Sequence, residues 1–424
     1  MSTTRATTRN PWSFIPTLYF AEGIPYILIN MVSVVLYKRM GIDNATFAFF
    51  TSLLYIPWVI KMFWGPVVDT RSTKRNWIVF TQLAMTACLA LVAMAIQLPV
   101  FFYITLLAFF VGAFISATHD IAADGFYLLA LDKDNQSLFV GIRSTFYRLA
   151  MIFGNGLLVW YAGTLEVSTG NIALSWSVAF GIAAVLFSLF FIYHRFMLPY
   201  PESDQPGRDR EKPVRNPFVD VFVTYFKQEK IGVILAFILL YRFGEAFLVK
   251  MASPFFLDSP AVGGLGLTTS EVGIMYGTIG TSCLLAGGVI GGIILKKFGL
   301  RRCLWPMAFI INLPMYVYVV LAYLRPSMYV AAPMVALEQF SYGFGFTAYM
   351  VYLMFLARGQ YKTSHYAIST GLMALGMMLP GFVSGYLQSL LGYQHFFTLT
   401  AVLGIPGIIT LFFIPLPEDE PAKT

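Results

Sequence analysis

Apolar residues run along this chain in long unbroken blocks, parted by short polar turns, without the alternation that marks strands. A helix that crosses a bilayer needs ~20 mainly apolar residues. Twelve stretches meet that length, at roughly 12–36, 43–65, 76–97, 100–130, 138–163, 172–197, 231–257, 268–296, 301–324, 327–357, 363–391 and 394–415. They are numbered here as spans 1 to 12. The pattern predicts an all-α membrane protein.

One long polar segment interrupts the series, "YPESDQPGRDREKPVRNPFVD" between spans 6 and 7. Its Pro, Gly and charge content reads as a linker. It divides residues 1–11 and a six-helix bundle over 12–197 from a second bundle over 231–415 and a tail, 416–424. Within the linker, 198–230, Asn216 and Pro217 suit a helix start. Phe218, Val221, Phe222 and Tyr225 then follow at amphipathic spacing, predicting a surface helix over 217–229.

Composition agrees with lipid as the solvent. The 424 residues are 58% hydrophobic and 12% charged, about half the charge of a soluble domain. Twenty of the 28 Lys and Arg fall on one set of loops, including the linker, while the other set holds Lys38, Arg39 and Arg325. Positive charge stays inside, so both termini are expected in the cytoplasm. The net charge of +7 reflects this bias, and no nucleic-acid partner is implied. Cys88, Cys283 and Cys303 suggest neither disulfides nor a metal site. The polar start runs straight into span 1, so no cleavable leader is expected.

The two halves echo each other. "GPVVDTRSTKR" follows span 2 and "GGIILKKFGLRR" follows span 8; setting Gly65 over Gly292 puts Lys74 and Arg75 over Arg301 and Arg302, with Asp69 and Arg71 between them on the first loop. Parallel six-span repeats, with this glycine–acid–basic loop, resemble the major facilitator superfamily. The likeness implies two six-helix pseudo-repeats, and assigns those loop residues to gating.

Charges within the spans carry the functional argument. A charge at the bilayer centre costs at least ~2.5–3.5 kcal/mol, so such groups face partners or water and mark a pathway. The acids are Glu22, Asp120, Asp124, Glu245 and Glu338, on spans 1, 4, 7 and 10. In a facilitator-type fold those four spans line the cavity. Glu22 lies about 15 Å beyond Trp12, near midplane, and Asp120 roughly 28 Å along span 4. Asp120 and Asp124 share a helical face and repel when both are charged; Asp124 is near enough to the inner face to meet water. All five acids are candidate proton carriers. The bases Lys61, Arg148 and Arg242, with Tyr147, Gln339, Tyr342 and Tyr349, are candidates for holding a cargo carboxylate and sugar rings. Arg148 could instead neutralise span 4, and Arg242 could pair with Glu245. His119 and His365 suit hydrogen bonding better than proton transfer. No nucleotide loop, metal-ligand run or nucleophile elbow is present, so an enzyme, a cofactor and ATP-driven transport are not expected.

Seven stretches extend the resemblance: "YFAEGIPYIL", "KMFWGPVVD", "ATHDIAADGF", "YRLAMIFGNG", "YRFGEAF", "LEQFSYGFGFTAYMVYLM" and "SHYAISTGL". In that order they resemble the AmpG-type muropeptide permeases. The resemblance implies a monomeric, proton-driven importer of peptidoglycan fragments in the bacterial inner membrane. Glu22 stands where the family has a small residue, His119 where it has Gln, and Arg242 and Glu245 where it has Lys and Asp. The best-known members carry two further C-terminal spans. The alternatives are an acetyl-CoA (coenzyme A ester) or siderophore-type carrier, an efflux pump, or a transceptor-like sensor.

Overall fold

The computed structural model describes residues 9–206, 217–357 and 362–416. No β-strand occurs among them. Nine helices among the described residues are long and apolar enough to cross a membrane. They fall on spans 1–4 and 6–9, with a final run over 364–410 covering spans 11 and 12. That run breaks at Gly392, where φ is 68°. Spans 5 and 10 are also helical, over 133–169 and Met328–Leu356, though richer in polar and aromatic positions. Three helices widen locally into π turns, at Leu28–Val32, Ile152–Leu158 and Gly273–Gly280. The first follows Pro25, which removes a donor from the ladder of span 1.

The chain forms two compact units. One comprises residues 1–36 and 60–213, the other 37–59 and 214–424. The end of span 1 and most of span 2 thus pack with the later part of the chain.

In the first unit, span 1 lies against span 5, and span 3 against spans 4 and 6. Gly23 permits the first approach, since a Cβ there would stand 2.7 Å from the carbonyl oxygen of Tyr147. A buried polar chain ties four spans together. Thr17 meets His194 at 2.9 Å, His194 meets Gln82 at 3.0 Å, and Gln82 meets His119 at 3.1 Å. His119 is accordingly a hydrogen-bonding residue of the bundle. At the loop after span 2, a short helix covers Gly65–Arg71; the side chain of Asp69 lies outside those described. Lys74 and Arg75 then open span 3, and their backbone N–H groups donate to the carboxylate of Asp204 at 2.7 and 3.0 Å. A carboxylate at a helix N-terminus satisfies orphan donors and opposes the helix dipole. The Arg75 guanidinium donates to the carbonyl oxygens of Leu198 and Arg195 and lies 3.8 Å over the ring of Tyr200.

In the second unit, span 10 packs on spans 8 and 9. Gly343 and Gly287 allow the first contact, each seated against a backbone carbonyl of the opposite helix. Span 7 packs on the run that covers spans 11 and 12, which also receives the helix Asn44–Leu53. A polar knot closes that corner: Lys38 pairs with Asp258 at 2.6 Å, Tyr393 donates to Asp258 at 2.6 Å, and Asn44 donates to Gln388 at 2.7 Å. The linker holds a helix at Pro217–Phe226. Thr224 meets His365 at 3.0 Å and Tyr225 meets Ser369 at 2.8 Å, fastening it to span 11.

Candidate functional site

Each unit gathers charges of its own within its spans. In the first, Lys61 donates to Asp120. One turn further along span 4, Asp124 accepts from the hydroxyl of Tyr19 at 3.0 Å and pairs with Arg143 at 3.1 Å. Arg143 also lies 4.9 Å over the ring of Tyr19 and 5.1 Å over that of Tyr127. Trp64 braces the group by donating to Thr118 at 3.2 Å. Helical spacing explains the layout, since residues four apart on span 4 present their carboxylates to different bases in turn. The side chain of Asp124 is 47% exposed and that of Asp120 only 20%. Asp124 is thus the more open of the two carboxylates.

Glu22 completes this cluster. It is buried, and its carboxyl faces that of Asp120 at hydrogen-bonding range. Its second oxygen has no hydrogen-bond partner among the described residues. Two carboxyl groups hydrogen bond only through a shared proton. Tyr147 stands in electrostatic range of Glu22, Asp120 and Asp124. Arg148 follows Arg143 on span 5 and is partly buried.

In the second unit, Arg242 grips Glu245 with two hydrogen bonds, 2.8 and 2.9 Å, as three-residue spacing allows. It also donates to the hydroxyl of Tyr342 at 2.5 Å and lies 4.6 Å over the ring of Phe346. Glu338 is buried and accepts from its neighbour Gln339 at 3.0 Å. Tyr349 borders this group, its ring 6.2 Å from that of Phe346. It is fully buried, donates to the carbonyl of Ile238 at 2.7 Å, and stacks on Tyr241 at 5.0 Å. Its ring is packing between spans 7 and 10.

The two loop signatures differ in setting. Lys74 and Arg75 are buried and tied down, whereas Arg301 and Arg302 are exposed and Gly292 has open space around it. Arg71 is exposed as well. Asp204 escaped sequence reasoning because its partners are backbone groups 129 and 130 residues away. Lys250 also went unselected. It is buried on span 7, and its ammonium makes no hydrogen bond among the described residues.

Apolar helical bundles that hold ion pairs within their spans have the build of a membrane transporter. The chain belongs to the Major Facilitator Superfamily, which its sequence matches over residues 17–379. The anhydromuropeptide permease of Escherichia coli (strain K12) is 26% identical, over 93% of this chain and 77% of that protein. Among solved structures, a D-xylose-proton symporter aligns with a TM-score of 0.75 at 13% identity, covering 95% of this chain and 97% of its own. The nucleoside transporter NupG aligns with a TM-score of 0.71 at 15% identity, over 94% and 98%. These structures share the fold.

Proposed function

We propose that this protein imports anionic peptidoglycan fragments, GlcNAc-anhydro-MurNAc and its peptides, across the bacterial inner membrane together with protons. The likeness to the anhydromuropeptide permease supports this cargo. Proton coupling rests on one observation: in the first unit three carboxyls, Glu22, Asp120 and Asp124, share two paired cations, Lys61 and Arg143.

With every group ionised that cluster carries one surplus negative charge, and one proton neutralises it. Moving a net charge through an apolar surround is costly, so the neutral cluster rearranges more readily. The contact between Glu22 and Asp120 supplies the place for that proton, and Tyr19 holds Asp124 to Arg143 meanwhile. Cargo and proton couple because both favour the same conformation. In the second unit Arg242 is held by Glu245 and by the hydroxyl of Tyr342.

The test is uptake of labelled GlcNAc-anhydro-MurNAc by vesicles containing the purified protein. An inward proton gradient is expected to drive accumulation, and a protonophore to abolish it. Uptake indifferent to the gradient would reject the coupling.

A further inference from the structure

We propose that Lys250 is the seat of the cargo's carboxylate. The assignment rests on the reading of the cargo as a carboxylate-bearing fragment, and it names a residue of the second unit that the sequence motifs do not include. Three bases of the spans are already engaged by acids: Lys61 by Asp120, Arg143 by Asp124, and Arg242 by Glu245. Lys250 is not. It is 7% exposed, its ammonium has no hydrogen-bond partner among the described residues, and no charged side chain influences it.

An ammonium in that setting has an aromatic ring beside it but no countercharge, and an arriving anion would supply one. The ring of Tyr55, itself buried, lies 5.9 Å from the ammonium and is its one cation–π contact among the described residues. Gly381, on span 11, packs against Ser52 beside the lysine stem; a Cβ there would stand 2.2 Å from the Ser52 hydroxyl and 3.7 Å from Lys250 Cε. Lys250 stands eight residues past Arg242, about 12 Å along the helix. A disaccharide bridges such a distance. The carboxylate would accept a hydrogen bond from the ammonium and supply its countercharge.

The experiment compares wild type, Lys250→Met and Lys250→Arg in vesicles, with GlcNAc-anhydro-MurNAc and its neutral carboxamide as paired cargo. Wild type is expected to prefer the acid by on the order of 10–100-fold in kcat/KM, the worth of one charge-assisted hydrogen bond. In Lys250→Met the acid-to-amide ratio should fall to near one, and Lys250→Arg should keep a preference. Thermal unfolding of Lys250→Met should match or exceed wild type, because an uncompensated charge is gone. A ratio unchanged in Lys250→Met overturns the assignment, and so does marked destabilisation, which would show a structural partner. A wild type that carries both fragments without preference removes this carboxylate site and leaves the permease reading standing. A wild type that carries neither removes both.

Discussion

Glu22 on span 1 and Asp120 on span 4 meet carboxyl to carboxyl inside the first unit, while Lys61 holds Asp120 from the other side. This arrangement makes Asp120 the hinge of the cluster, answering one acid and one base at once. Asp120→Asn keeps the shape but leaves Lys61 without its counter-charge. Concentrative uptake is expected to vanish in that variant, while exchange of labelled for unlabelled cargo persists. Counterflow set beside gradient-driven uptake checks it.

Arg242 and Glu245 are both nearly sealed from solvent. Removing one partner of such a pair strands the other, at about 3–5 kcal/mol. Arg242→Leu is therefore expected to lower the unfolding temperature sharply in detergent. The double substitution Arg242→Leu with Glu245→Leu should recover most of that loss, while cargo uptake stays impaired. A double-mutant cycle by thermal unfolding measures this.

Asp204 caps span 3 from the linker, through the backbone of Lys74 and Arg75. Asp204→Ala should cost about 0.5–2 kcal/mol, as loss of a helix cap does. Arg302→Ala, at the exposed counterpart loop, should stay within about 0.5 kcal/mol of wild type. Chemical denaturation of both variants distinguishes the two loops.

Tyr349→Phe deletes a hydrogen bond to the carbonyl of Ile238 and leaves that acceptor buried. The expected cost is about 1–3 kcal/mol, with KM for cargo unchanged. Tyr342→Phe, which removes a hydroxyl from Arg242, should instead raise KM. Steady-state uptake with stability measured in parallel tests the pair.

Much of this was legible in the chain itself. The apolar blocks placed the helices, because the bilayer sets one length for all of them. Intramembrane charges pointed to the clusters, because burying a charge is too costly to leave unpartnered. Spacing alone paired Arg242 with Glu245, a local contact. Long-range geometry was not readable: nothing in the motifs tells that Lys61 meets Asp120 across 59 residues, or that Tyr349 turns into the packing. Residues 37–59 joined the later part of the chain through Asn44, Asp258 and Gln388, an association the six-plus-six repeat does not announce. Lys250 went unselected because it matched no motif, and its lack of a partner shows only once the helices are packed.

The most direct measurement is gradient dependence in Glu22→Gln, a variant that imitates the protonated acid. Initial uptake of labelled fragment would be recorded at equal and unequal pH across the vesicle membrane, for wild type and variant. Wild-type rates should rise with the inward gradient, whereas Glu22→Gln should show equal rates in both conditions and still exchange cargo. A Glu22→Gln protein that accumulates cargo as steeply as wild type would contradict the account.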